Sequence, residues 1–136
     1  MSKAVFKGYV VNEMEFVNEL RESGKLELKN ELKYNVKYSE QQCECMGECR
    51  FKVYHSQRPD LFSIEVSVRG FFKYEEGADK KELHAETYDQ LFPYVRSLIS
   101  TITVNCGMPP ITIPKIKIGA DNVVIHQGAG QDKYYS

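Results

Sequence analysis

Three of the four cysteines, Cys43, Cys45 and Cys49, fall in a C-x-C-x3-C pattern. Three thiolates held near one another can bind zinc. The spacing departs from the usual C-x2-C, and no fourth ligand lies close by; Cys106 or His55 completes a site only if the fold delivers it. The plain alternative is free or redox-sensitive thiols. His55, His84 and His126 are scattered without an H-E-x-x-H pattern. Glu65, Glu75, Glu76 and Asp79 can be imagined as an acid/base set, but carboxylates on strand faces and loops are ordinarily solvated surface groups. Gly128, Ala129 and Gly130 lack the following G-K-[ST] of a phosphate-binding loop. No catalytic or metal constellation is assembled this way, so neither an enzyme nor a bound cofactor is expected.

What remains is apolar surface. The chain has 136 residues, room for one domain. Its 42% hydrophobic and 27% charged residues are ordinary globular values. Eighteen basic against nineteen acidic residues leave a net charge of −1, which supplies no broad field for nucleic acid or acidic membranes. No apolar run reaches membrane-spanning length, and the start MSKAVFKGYVV has no export-signal pattern. The cytoplasm is therefore the expected compartment, and free thiols the expected state of the cysteines.

The elements that must position this surface are legible from periodicity. From Leu26 to Tyr38, Leu26, Leu28, Leu32, Tyr34, Val36 and Tyr38 alternate with charged or polar residues, and Asn30 alone interrupts the apolar set. Leu61 to Tyr74 repeats the pattern, with Phe71 as an aromatic on the polar side. Such alternation marks half-buried antiparallel strands. Arg50 to His55 reads as a shorter strand joined to the next through a turn containing Pro59, which places the three cysteines in a hairpin loop. Phe6 to Val17 is a weaker strand, bent midway or buried on both faces, because Tyr9 and Val11 break its alternation. Four strands with short connections must form an antiparallel meander or something close to it.

After Gly77 the period changes, and Leu91 to Cys106 carries apolar residues at helical spacing. Asp89 is the expected N-cap, Pro93 then falls near the first turn, and Gly107 follows the end. Two adjacent stripes, Leu91/Val95/Leu98/Ile102 and Phe92/Val95/Ile99/Ile102/Cys106, make an apolar arc wider than one sheet contact needs. A second surface, such as another subunit, is expected against it. Met108 to Pro114 is too proline-rich for a central strand and reads as an extended segment on the surface. The expectation is thus an α+β domain over residues 1–118, a four-stranded antiparallel sheet packed on one long helix, with 119–136 as a loose tail.

The run Leu91, Phe92, Pro93, Tyr94, Val95, Arg96 resembles the L-F-P-Y-x-R signature of the SecB export chaperones, followed at the family's spacing by Gly107 and Pro109. Phe62, Glu65, Val66, Gly70 and Phe72 resemble that family's third long strand, and Glu13 to Phe16 its acidic-aliphatic-x-Phe segment. The resemblance implies a homotetramer built as a dimer of dimers. It also implies ATP-independent holding of unfolded or precursor polypeptides in apolar grooves, and delivery to the SecA motor, whose contact positions match Glu13 and Glu65. Where the family continues into a second helix and an acidic tail, Ile118 is followed here by Gly119, Ala120, Asp121 and Asn122.

Groups that hold varied clients should be aromatic or flexible and apolar. Phe71, Phe72, Leu91, Phe92, Tyr94, Met108 and Ile111 are the candidates, expected to cluster where the strand end, the helix start and the extended segment meet. For Phe72, Leu91 and Phe92 ordinary core burial is the competing reading, whereas Phe71 on a polar face favours contact. The alternative function is an adaptor or a dedicated chaperone for one partner, for example an antitoxin.

Overall fold

A computed structural model of the chain describes residues 3–20, 27–109, 111–114, 116 and 124–127. Four long strands lead: β1 (Ala4–Asn18), β2 (Leu28–Ser39), β3 (Glu44–His55) and β4 (Phe62–Tyr74). One helix, α1 (Lys80–Asn105), and a short strand, β5 (Val124–Gln127), follow. The strands form one sheet in the order β1-β4-β3-β2-β5, antiparallel throughout. The meander expectation holds for β2–β3–β4, but β1 crosses to the far side and pairs with β4, which makes the four long strands a Greek key. Within the expected tail over 119–136, the backbone of residues 124–127 pairs with Asn30–Lys33 at the β2 edge. The rest of the expected tail, and Leu26 of the expected second strand, lie outside the described residues.

One face of the sheet builds the core. Leu28, Leu32 and Tyr34 on β2, Cys49, Phe51 and Val53 on β3, and Ile64, Val66, Val68 and Phe72 on β4 are buried beneath Tyr88, Leu91, Phe92, Val95 and Ile99 of α1. The close approach of helix to sheet rests on Gly70, where a Cβ would come within 2.9 Å of Leu91 Cδ1. Among the described residues no helix is long and apolar enough to cross a membrane.

The weak alternation of β1 has a mechanical cause. Its pairing with β4 shifts register between Phe6 and Gly8 and again between Val11 and Glu13. Each bulge inserts one residue and reverses which parity faces the core. The helix-facing set consequently runs Ala4, Phe6, Tyr9, Val11, Met14, Phe16, opposite Tyr74, Phe72, Gly70, Val68, Val66 and Ile64. Gly8 sits at the first shift with φ +143°, a conformation that side chains resist.

Helix α1 begins ten residues before the expected start. Asp79, not Asp89, is the N-cap, and its carboxylate accepts from the Lys81 N–H. The buried stripe of the added turns is Leu83, His84, Thr87 and Tyr88, whose polar members hid the helical period. Pro93 therefore lies in the helix interior rather than near the first turn. It is tolerated on the exposed side of the helix, where Pro93 and Asp89, the residue whose carbonyl loses its usual helical donor, are both exposed. The C-terminus closes as expected on Gly107 (φ +80°), with Met108 N–H bonded to Thr103 O at 3.1 Å and Gly107 N–H to Val104 O at 3.3 Å, a Schellman arrangement.

The segment after Gly107 is extended but does not merely lie on the surface. Ile111, Ile113 and Ile116 are buried core residues. Their backbones are tied to the helix: Arg96 Nε donates to Ile113 O at 2.8 Å, Ser100 Oγ to Ile111 O at 2.8 Å, and Tyr88 OH to Ile116 O at 2.7 Å. Much of the wide apolar arc is thus met by the chain's own extended segment, running back along one flank of the helix.

Candidate functional site

The opposite flank of α1 is the one left open. Glu86, Gln90 and Tyr94 recur every four residues and so share one face. The Glu86 carboxylate accepts from the Lys3 and Ala4 N–H groups at 2.7 and 2.9 Å, and Gln90 Nε2 donates to Ala4 O at 3.1 Å, which pins the helix to the start of β1. Tyr94 is next on this face. Its ring stacks on Phe6 at 5.2 Å between centroids and lies 4.8 Å from Tyr9, while Phe6 also meets Phe72 at 5.4 Å. Leu98 follows, half-buried.

Beyond this aromatic cluster the helix-facing side of β1 is uncovered. Tyr9, Val11 and Met14 keep 44%, 38% and 55% of their surface in water, and Tyr94 keeps 41%. These four side chains make a continuous apolar strip along the strand at the end of the sheet order, β1, with Phe6 and Phe72 at its base. Of the strip, the sequence reading had identified Tyr94 alone. Tyr9, Val11 and Met14 were missed because the bulges disguise them as irregular alternation; the only available signal was the density of apolar residues between Tyr9 and Met14.

The expected client-binding residues do not gather in one place. Phe72, Leu91, Phe92 and Ile111 are sealed in the core. Met108 is half-buried at the helix C-terminus, which the 1.5 Å rise per residue puts about 16 Å or more beyond Tyr94. Phe71, 42% exposed, projects from the opposite face of the sheet, between Gly8 and Met46 in the register. The expected cluster fails because Phe71 and Phe72 alternate across the sheet, and because the helix starts at Lys80, which moves Tyr94 to its middle.

Glu13 and Glu65, the positions matching motor contacts, are brought together. Both lie on the outer face around Arg50, whose guanidinium is 3.0 Å from Glu13 Oε1 and 3.9 Å from Glu65 Oε2. Asn12, Met14 and Glu15 complete a mainly polar hollow there.

The cysteines do not converge. Strand β3 begins at Glu44 rather than Arg50, so Cys45 and Cys49 stand on a strand, both facing the core, about 13 Å apart at 3.3 Å per residue. Cys43 occupies the preceding turn with φ +53°. Burial pushes the Cys45 thiol up to about 11 and the Cys49 thiol higher still, so both are protonated at neutral pH and poor as metal ligands. Among the described residues no group of three or more His, Cys, Asp or Glu side chains is placed to hold a metal ion.

Comparison with known proteins places this geometry in context. An uncharacterized protein of Methanocaldococcus jannaschii, MJ0357, is 48% identical over 58 residues, which is 40% of this chain and 37% of that protein. The chain thus matches little more than a third of that relative's length. Among solved structures, the fold resembles the Mycobacterium tuberculosis SecB-like chaperone Rv1957 in complex with a ChAD peptide from the Rv1956 HigA1 antitoxin. The TM-score is 0.70 with 17% identity, covering 84% of this chain and 91% of that one. The family described as preprotein translocase subunit SecB matches residues 9–120. With that match spanning most of the chain, from the bulged edge strand through the L-F-P-Y helix and beyond the extended segment, this protein belongs to the SecB family.

Proposed function

We propose that the protein is an ATP-independent holding chaperone that binds unfolded polypeptide along the strip formed by Tyr9, Val11, Met14 and Tyr94. The observation that carries this reading is the exposure of four large apolar side chains on the same face that elsewhere builds the core. At about 25 cal/mol per Å², covering a few hundred Å² of such a strip supplies several kcal/mol without reading sequence. Phe72 and Leu91 serve as the rigid wall behind it, Phe92 and Ile111 fix the far side of the helix as core, and Met108 extends the contact toward the helix C-terminus. The β1 edge adds backbone hydrogen bonds to an extended client.

Family membership supports the chaperone reading as a whole. The finer form is export, in which Glu13 and Glu65 around Arg50 present an outer-face contact for SecA and the chain works in the cytoplasm as a dimer of dimers. The alternative is service to a single partner such as an antitoxin, supported by the peptide held by the Mycobacterium tuberculosis neighbour. In the oligomer, half-buried Leu98 and exposed Val104 meet a second subunit.

The test is suppression of aggregation of a chemically unfolded, unrelated protein at stoichiometric amounts. Protection is expected, and a Tyr9→Ser/Met14→Ser/Tyr94→Ser variant should lose most of it while remaining folded. No protection by the native chain would reject general holding and favour the single-partner form. Sedimentation velocity checks the oligomer; a strict monomer removes the assembly from the proposal.

A further inference from the structure

The outer face of the sheet, opposite the strip, carries a cavity of about 350 Å³ that the holding function does not use. Met46 and Phe71 are register neighbours on this face and form a common floor, while the exposed Val5 and Val10 of β1 lie in the adjoining rows. Next in the same row stands Gly8, whose missing side chain leaves open space beside Phe71. Lys7 and Lys37 rim the cavity at its two ends, both exposed and neither ion-paired with a described residue. Glu44 is the one acid of the lining, and Lys73 stands directly across from it in the register. The surplus charge at the rim is therefore positive.

We infer that this slot is a docking site for an acidic peptide segment carrying one large apolar anchor, distinct from the client strip on the other face. The volume is at the small end for ligand pockets and suits a single aromatic or aliphatic side chain on the Phe71–Met46 floor. Spacing refines the partner. Lys7 on β1 and Lys37 on β2 are three strand spacings apart, about 14 Å. In an extended peptide, residues i, i+2 and i+4 point to one side and i to i+4 spans about 13 Å. The recognised pattern is thus acid-x-apolar-x-acid, lying across the strands with both carboxylates over the lysines. A lysine-rich segment is disfavoured by the same charges.

The test is fluorescence anisotropy of the full chain with a labelled peptide Gly-Asp-Ser-Phe-Ser-Asp-Gly at low salt, against the same peptide with both Asp replaced by Lys. The acidic peptide should bind at least about tenfold more tightly, since two exposed ion pairs of ordinary strength supply that ratio. Lys7→Glu/Lys37→Glu should reverse the preference, and Phe71→Ser should weaken the acidic peptide about tenfold. The Tyr9→Ser/Met14→Ser/Tyr94→Ser variant, altered on the opposite face, should bind this peptide as the native chain does. That variant keeps the outcome separable from failure of the holding proposal. Equal binding of both peptides, no binding of the acidic one, or insensitivity to the lysine substitutions overturns the assignment; unchanged thermal unfolding of the variants verifies that they fold.

Discussion

Strands β3 and β1 present equally apolar residues to the same side of one sheet, yet they end in opposite environments. On β3, Cys45, Cys49, Phe51 and Val53 are all buried beneath α1 and the extended segment. On β1, Tyr9, Val11 and Met14 remain in water. Side-chain hydrophobicity is common to both; what differs is whether a second layer lies above. Among the described residues one helix is available, held close to the middle of the sheet at Gly70, and one of its flanks is taken by Ile111, Ile113 and Ile116. No further layer among the described residues roofs the outermost strand, so the apolar face of β1 stays in water.

The sharpest way to break this comparison is to truncate one residue in each region. Phe51→Ala, which empties a sealed site beside Phe92, should cost about 3–5 kcal/mol in urea unfolding. Met14→Ser should change stability by less than about 0.5 kcal/mol, because its side chain already meets water. Comparable losses at both positions would mean that the strip on β1 is closed in solution.

A smaller effect separates the regions by pH. Burial raises the Tyr38 phenol to about 12 and the Cys45 thiol to about 11, and lifts Tyr34, Tyr88 and Cys49 further. Tyr34, Tyr88, Cys45 and Cys49 are buried in the covered region, and Tyr38 is half-buried against it. Each binds its proton more tightly folded than unfolded, so its contribution is full below the unfolded value and is lost as pH rises through the folded one. Stability should hold constant from neutral pH to about 8, where unfolded thiols begin to ionise, and then fall steadily through about 12. Denaturant midpoints measured across that range check the sign; a midpoint that rises above pH 9 contradicts it.

The smallest signal is chemical rather than energetic. Cys106 is exposed and Cys43 half-exposed, whereas Cys45 and Cys49 face the core. A neutral alkylating reagent should label Cys106 and then Cys43 in the native protein, and reach the other two only on unfolding, as mass spectrometry would read. Rapid labelling of Cys45 or Cys49 would mean that the β3 side of the core opens readily.

Strands with uniform alternation, such as Leu28 to Tyr38 and Phe62 to Tyr74, were legible because period two needs only local pairing to be expressed. The same holds for Gly107, whose place after the helix follows from backbone geometry alone. The early turns of α1 were not legible, since His84 and Thr87 are buried by tertiary contacts: Thr87 Oγ1 receives the Tyr34 hydroxyl at 2.6 Å, and His84 meets the Tyr34 ring. The candidate site was half legible: Tyr94 stood in the family signature, while Tyr9, Val11 and Met14 were masked by two bulges that only pairing with β4 reveals.

By itself the sequence determined the antiparallel sheet, the presence of a helix after it and the SecB resemblance, because periodicity and a contiguous motif are properties of neighbours along the chain. The tertiary structure alone decided which apolar residues are covered. Burial depends on the layer above each strand, and Phe71, Phe72 and Tyr94, close in type, were sent to the outer face, the core and an open edge by the alternation of β4 and the reach of one helix.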